Sequence, residues 1–332
     1  MKHLLIIIYT LFSFVCSGQK NSSLIAETSK FEFHSDLWIN LHHFLYQKAK
    51  GSQLKHLQED GNVFLNINED ENFKSLNHNE RLILETSIDY YKEHIIEKSL
   101  LRNLANLRVW LQDQHGNKKI SDTTYSKKYT TILNDFSSIY KKRFWRNHDK
   151  HNRKILNKHL KLLEELEPFM FERLKYFAGF NWPESKIRID LTTYANYAGA
   201  YSQTRPNFNA VISTLDPFSE QSTFVEIVFH EAAHGLFWRK SKFRSKIFQL
   251  SNEMSIPIPK NLWHASQFYL CGKLVQEELK KKGIKHELIM DIKNIFSSYN
   301  NSNFRSILDK FYNNQINHEA TARKLLNNLK KK

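Results

Sequence analysis

The stretch FVEIVFHEAAHGLF, residues 224–237, decides how the rest of the chain is read. It contains no proline and no glycine before Gly235, and the acidic and hydroxyl residues of SEQST just before it suit a helix start. On a helix, His230 and His234 lie one turn apart on one face, so both imidazoles can reach a single metal ion. Glu231 projects from the flank of that face. Two neutral nitrogen ligands beside a carboxylate able to take a proton from water are the parts of a zinc-dependent hydrolytic site. The surrounding residues are apolar (Phe224, Val225, Ile227, Val228, Phe229, Leu236, Phe237). Two histidines and a glutamate without partners would be costly in such a segment. Glu226, one turn before His230, fits either an acceptor for an imidazole N–H or an exposed first-turn acid favoured by the helix dipole.

A catalytic zinc needs a third protein ligand, and the next helical pattern, NLWHASQFYLCGKLVQEEL (261–279), offers candidates. His264 is favoured because WHASQFY sets it among bulky residues that can wall a site. Glu277 and Glu278 are the alternatives, in a lysine-rich stretch that reads as a solvated helix end. Before the quoted helix, Pro183 breaks a helical run, KIRIDLTTY alternates like a strand, and NAVIST reads as a second strand. Between them lies YANYAGAYSQ, whose small residues would let a substrate backbone approach a sheet edge. Tyr201 is the expected oxyanion donor there, with Tyr197 as a neighbour and core packing as the other reading.

From Phe31 to Gly179 the pattern is nearly all helix: a long amphipathic run over 79–112 carrying Leu84, Ile88, Tyr91, Ile95 and Leu101, then runs over 126–146 and 150–177. After the quoted segment, helices are expected near 241–252, 260–282, 286–298, 302–313 and 317–330. The expected fold class is mainly α with a small β-sheet. A helical N-terminal region (19–180) precedes the region that carries the site (181–332).

The first residues, MKHLLIIIYTLFSFVCSGQ, combine Lys2, an apolar run from Leu4 to Val15 and small residues at Ser17 and Gly18. This is the layout of a signal peptide spanning 1–18, too short for a comfortable membrane span, and it implies a secreted or periplasmic protein. Removing it also removes Cys16. Cys271 is then left without an intramolecular partner, in the apolar stretch QFYLCGKLV that suits a buried thiol. The net charge of +15 is spread over segments such as KKRFWRNHDKHNRK (141–154) and KSKFRSK (240–246). No nucleic-acid motif accompanies it, so solvated basic faces are expected and no nucleic acid is expected as partner. Binding of an anionic polymer, with a structural or vestigial metal site, is the alternative to catalysis. His42 and His43 read as packing or surface residues, since at most one of an adjacent pair faces a given site. His148 and Asp149 read as part of a basic helical face or as a hydrogen-bonded pair.

The order strand, strand, HEAAH helix, second helix over residues 185–282 resembles the zincin metallopeptidases. It departs from the metzincin branch, because Phe237 and Lys240 stand where a glycine and a third histidine would follow, and His264 would depart from the gluzincin pattern, which has glutamate. The whole chain is also similar to a family of uncharacterised secreted bacterial proteins carrying NLHHFLY (40–46), WxxHD (145–149), YANxAGAY (194–201), HExxH (230–234) and WHxxxFY (263–269) segments. The zincin resemblance implies a zincin-like catalytic region over 181–332, Zn2+ as cofactor, a peptide or protein substrate, and Glu231 as general base.

Overall fold

The computed structural model describes residues 23–51, 69–100, 103–195, 199–204, 208–299 and 301–329. The expected leader, Cys16 and Tyr197 lie outside these residues. The chain is mainly helical with one five-stranded mixed sheet, as the sequence pattern predicts.

The described chain opens with a hairpin, β1 (Leu24–Glu27) and β2 (Phe31–His34). Four helices follow: α1 (Leu37–Lys50), α2 (Glu69–Lys74), α3 (His78–His94) and α4 (Ala105–Asp113). α5 (Lys127–Tyr140) runs through a π-helical turn (Lys141–Trp145) into α6 (Arg146–Ala178) without a break. Gly179 ends α6 in the left-handed conformation, φ 60°, against Lys242, whose Cβ would lie 2.5 Å from any added Cβ. The strands β3 (Ile187–Thr192), β4 (Ala200–Gln203) and β5 (Asn209–Ser213) come next. After a short 3-10 turn come α7 (Thr223–Ala233), α8 (Lys242–Met254), α9 (Leu262–Lys281), the single turn α10 (Ile289–Ile292), α11 (Ser302–Tyr312) and α12 (His318–Leu329).

The strand order is β1-β2-β3-β5-β4. β3 pairs in parallel with β2 and β5, and β1 and β4 close the two edges antiparallel. The parallel strands are buried on nearly every residue, polar Asp190, Thr192 and Asn209 included, as expected of strands flanked on both edges and packed against helices. One core joins Phe31, Phe33, Ile187, Ile189 and Ile212 to the apolar faces of α6, α7 and α9. A second core lies among α1, α3, α4, α5 and the π-turn. Amides join the two halves at the end of β3: Asn40 Nδ2 and Asn152 Nδ2 both donate to the Leu191 carbonyl, at 3.0 and 3.1 Å, and Thr214 Oγ1 donates to Asn152 Oδ1 at 2.6 Å.

Four sequence expectations change. Residues 24–34 form a hairpin, whereas the helical reading begins at Phe31. Its turn is held by Thr28 and Ser29 donating to the buried Glu167 of α6. The helix expected over 79–112 is two helices, and Asn103 Oδ1 between them takes the Ser99 N–H that a continuous helix would use. The runs 126–146 and 150–177 are joined by the π-turn. The helix expected over 286–298 shrinks to α10, because Asn294 and Phe296 turn to positive φ, 48° and 58°. The sheet also takes strands from both sides of the 180/181 boundary, and α6 packs in the same core as α7. No helix among the described residues is long and apolar enough to cross a membrane.

Candidate metal centre

α7 is anchored by Phe224, Val225, Val228, Phe229, Ala232 and Ala233, all fully buried. That leaves His230 and His234 on the face toward α9. The first turn of α9 brings His264 to the same place. The ligand nitrogens of His230, His234 and His264 all lie within 4.8 Å of one another, and the Nε2 atoms of His230 and His264 are 3.2 Å apart. Two nitrogens each at about 2.05 Å from a tetrahedral ion stand roughly 3.3 Å apart, so this pair is already spaced for a shared metal. The three histidines are positioned to hold one metal ion. Burial holds the imidazoles of His230 and His234 well below their ordinary value; burial and the Arg244 charge push His264 down to about 4. All three are neutral near pH 7, the state in which imidazole binds a metal.

Aromatic side chains enclose the cluster. Phe268, one turn after His264, packs on His230 with ring centroids 3.7 Å apart. Trp263 stacks on His264 at 5.1 Å, and the Phe296 ring stands edge-on to it at 5.0 Å. Gln267 Nε2 donates to the His230 carbonyl at 2.9 Å, tying α9 to the HEAAH helix. His230 Nδ1 is buried with no protein partner.

Glu231 is 5% exposed. Its Oε2 has no hydrogen-bond partner and lies 3.9 Å from His234 Nε2. Burial pushes the carboxyl up to about 8, against a hydrogen bond from Ser202 and the Arg108 charge. Ser202 comes from the edge strand β4, where side chains alternate between faces. Tyr201, one position before it, therefore points away from Ser202. Its hydroxyl donates to His43 Nε2 at 2.8 Å, since His43 Nδ1 must donate to the Ile39 carbonyl, and Arg108 stacks over its ring. Tyr201, expected as the oxyanion donor, is thus engaged with His43 and Arg108, and its hydroxyl is turned to α1.

The remaining candidates are placed elsewhere. Glu277 stands thirteen residues after His264 on α9, roughly 20 Å along the axis, and pairs with Lys273 at 3.6 Å. Glu278 pairs with Lys281. Glu226 is fully buried, not an exposed first-turn acid, and accepts from an imidazole that is not one of the three: His286 Nε2 at 2.7 Å, together with the Ile289 N–H at 3.1 Å. His42 sits between the hydroxyls of Tyr91 and Tyr129, at 2.9 Å from each. His148 bonds Tyr140 and Asp149 accepts from Arg153. Cys271 is a buried thiol whose pKa burial pushes up. Sequence reasoning did not single out Ser202, Arg108, Arg244 or Phe296, which come from separate segments with no local motif.

A cavity of about 550 Å³ is lined by Trp38, His115, Lys118, Lys141, Trp145 and Arg153 among others, and none of the three histidines borders it. The histidines, with a free carboxylate oxygen beside them, are the stronger chemical candidate because their donor atoms already converge. Comparison with family models, curated proteins and solved structures gave no match.

Proposed function

We propose that the chain is an exported zinc-dependent hydrolase acting on peptide bonds, with His230, His234 and His264 as the metal ligands and Glu231 as general base. The convergence of three neutral imidazoles beside the unpartnered Oε2 of Glu231 carries this reading. Zinc suits the donor set, because three imidazole nitrogens leave one of four tetrahedral positions open. Bound there, zinc would supply Lewis-acid polarisation of a substrate carbonyl and an acidified water.

The protein's own groups do the rest. The Glu231 carboxyl, drawn down from about 8 toward its ionised form by a metal cation held beside it, takes up the proton released when water adds to the carbonyl and returns it to the departing amine nitrogen. Ser202 fixes the carboxyl through one hydrogen bond and leaves Oε2 free for this transfer. Phe268, Trp263 and Phe296 keep bulk water from the ligand nitrogens, which strengthens every charge interaction inside.

The test is metal analysis of the purified mature protein, together with hydrolysis assays of wild type and Glu231→Gln. The wild type is expected to hold one zinc per chain. The variant should keep zinc while turnover of any substrate found drops by at least about a hundredfold. Unchanged turnover in the variant would reject Glu231 as the base, and a protein that takes up no zinc would reject the site.

A further inference from the structure

Arg244, in the first turn of α8, has no counter-ion. Its Nη1 donates to the Phe237 carbonyl at 3.1 Å, its Nε is buried without a partner, and no described carboxylate reaches its guanidinium. The side chain is half-buried, and burial together with the nearby Arg239 charge pushes even this group down, to about 10. A cation drawn partly out of water without an anion is costly, and the cost is relieved when an anion arrives from outside.

Its position gives that anion a place. The guanidinium carbon lies 4.1 Å over the Trp263 ring, and the other neighbours of that ring are His264, stacked at 5.1 Å, and His234, edge-on at 5.9 Å. One indole thus separates Arg244 from two of the three ligand rings. These two contacts put the guanidinium carbon no more than about 9 Å from the His264 ring, a reach of at most about three extended residues. The Arg244 charge is felt at both His234 and His264. The adjoining loop adds the exposed Arg239 and Lys240, of the same sign. A planar guanidinium held over an indole is suited to grip a carboxylate with two N–H groups.

We propose that Arg244 anchors a carboxylate of the substrate one or two residues from the bond that is cleaved, and so sets the specificity of this centre. The inference rests on the metallopeptidase reading above. The carboxylate has two sources, the free C-terminus of a peptide or an acidic side chain. In the first case the enzyme trims C-terminal residues; in the second it cuts beside acidic residues within a chain.

The experiment uses the full-length mature protein, zinc-loaded and carrying Glu231→Gln to block turnover, alone and combined with Arg244→Gln or Arg244→Lys. Calorimetry measures binding of three N-acetylated tripeptides: one with a free C-terminal carboxylate, its C-terminal amide, and an amide ending in glutamate. A carboxylate peptide should bind about tenfold or more tighter than the neutral amide, the worth of one charge-assisted contact. Arg244→Gln should erase that ratio and Arg244→Lys should keep part of it, with zinc content the same in all three proteins. Preference for the free acid over both amides identifies the terminal carboxylate, and preference for the glutamate amide identifies the side chain. Equal binding of all three peptides, or a preference that survives Arg244→Gln, overturns the proposal. Wild-type hydrolysis is then measured on the same peptides. Cleavage without a preference discards the Arg244 anchor alone, whereas a preference without cleavage discards the peptidase reading and leaves the anchor standing.

Discussion

Replacing Gly272 by alanine tests how the third histidine is delivered. Gly272 lies in α9 where that helix crosses α7, and an added Cβ would stand 2.7 Å from Glu226 Oε1 and 3.0 Å from Leu288 Cγ. Glu226 cannot swing aside, because it is fully buried and its oxygens are held by His286 and the Ile289 N–H. Relief to an ordinary 3.4 Å contact therefore needs α9 to move off α7 by roughly 0.7 Å. Overpacking of this kind costs about 1–3 kcal/mol. The gain from removing a glycine inside a helix offsets about 1 kcal/mol of it. A net loss of about 1 kcal/mol is expected in urea unfolding of the metal-free protein. The sharper effect is on the metal, since the same movement widens the 3.2 Å gap between His230 and His264. Zinc affinity, measured by competition with a chromogenic chelator, should fall about tenfold or more, as it does when a ligand loses its support. If Gly272→Ala leaves both stability and zinc affinity at wild-type values, the close approach of the two helices does not set the site and the reasoning fails.

His264→Ala should lower zinc affinity sharply while Glu277→Ala leaves it nearly unchanged; metal titration of both folded variants checks this, and the reverse result would move the third ligand down α9. His286→Ala leaves the buried Glu226 with only the Ile289 N–H, and burial already favours its neutral form, so stability should drop by about 1–3 kcal/mol in denaturant unfolding. Burial depresses His43 to about 4 from an ordinary 6.5, so its contribution is full above pH 6.5 and is lost as pH falls through 4. Wild type should lose on the order of 3 kcal/mol more than His43→Gln between pH 7 and pH 4; parallel pH profiles for the two proteins would rule this out.

The HEAAH helix was legible because a spacing of four matches one helical turn, so neighbours in sequence are neighbours in space. The third histidine was only half legible. Its favoured status came from the aromatic setting of WHASQFY, and the structure adds the reason: Gly272 lets α9 approach α7 closely enough for His264 to reach His230. Tyr201 shows the opposite case. A tyrosine beside small residues marked the right strand, but the face it occupies depends on strand register, and register placed Ser202 toward Glu231 instead. The hairpin of residues 24–34 escaped because four-residue strands carry little periodicity and β2 pairs with a strand more than 150 positions away. The partner of Glu226 escaped for a related reason, since His286 lies beyond two whole intervening helices.

The parallel pairing of β2 with β3 bears on how the molecule unfolds and how it can be cut. Phe31 and Phe33 of β2 share one core with α6 and the HEAAH helix, and the rod from Lys127 to Ala178 carries side chains of both cores. The half that holds the histidines thus shares its sheet and its core with residues before Gly179. A fragment beginning after Gly179 would lose β2 and α6 together, baring one edge of β3 and much of the face on which α7 rests, a surface that invites association between chains. Limited proteolysis near Pro183 is therefore expected to release insoluble pieces in place of an active core.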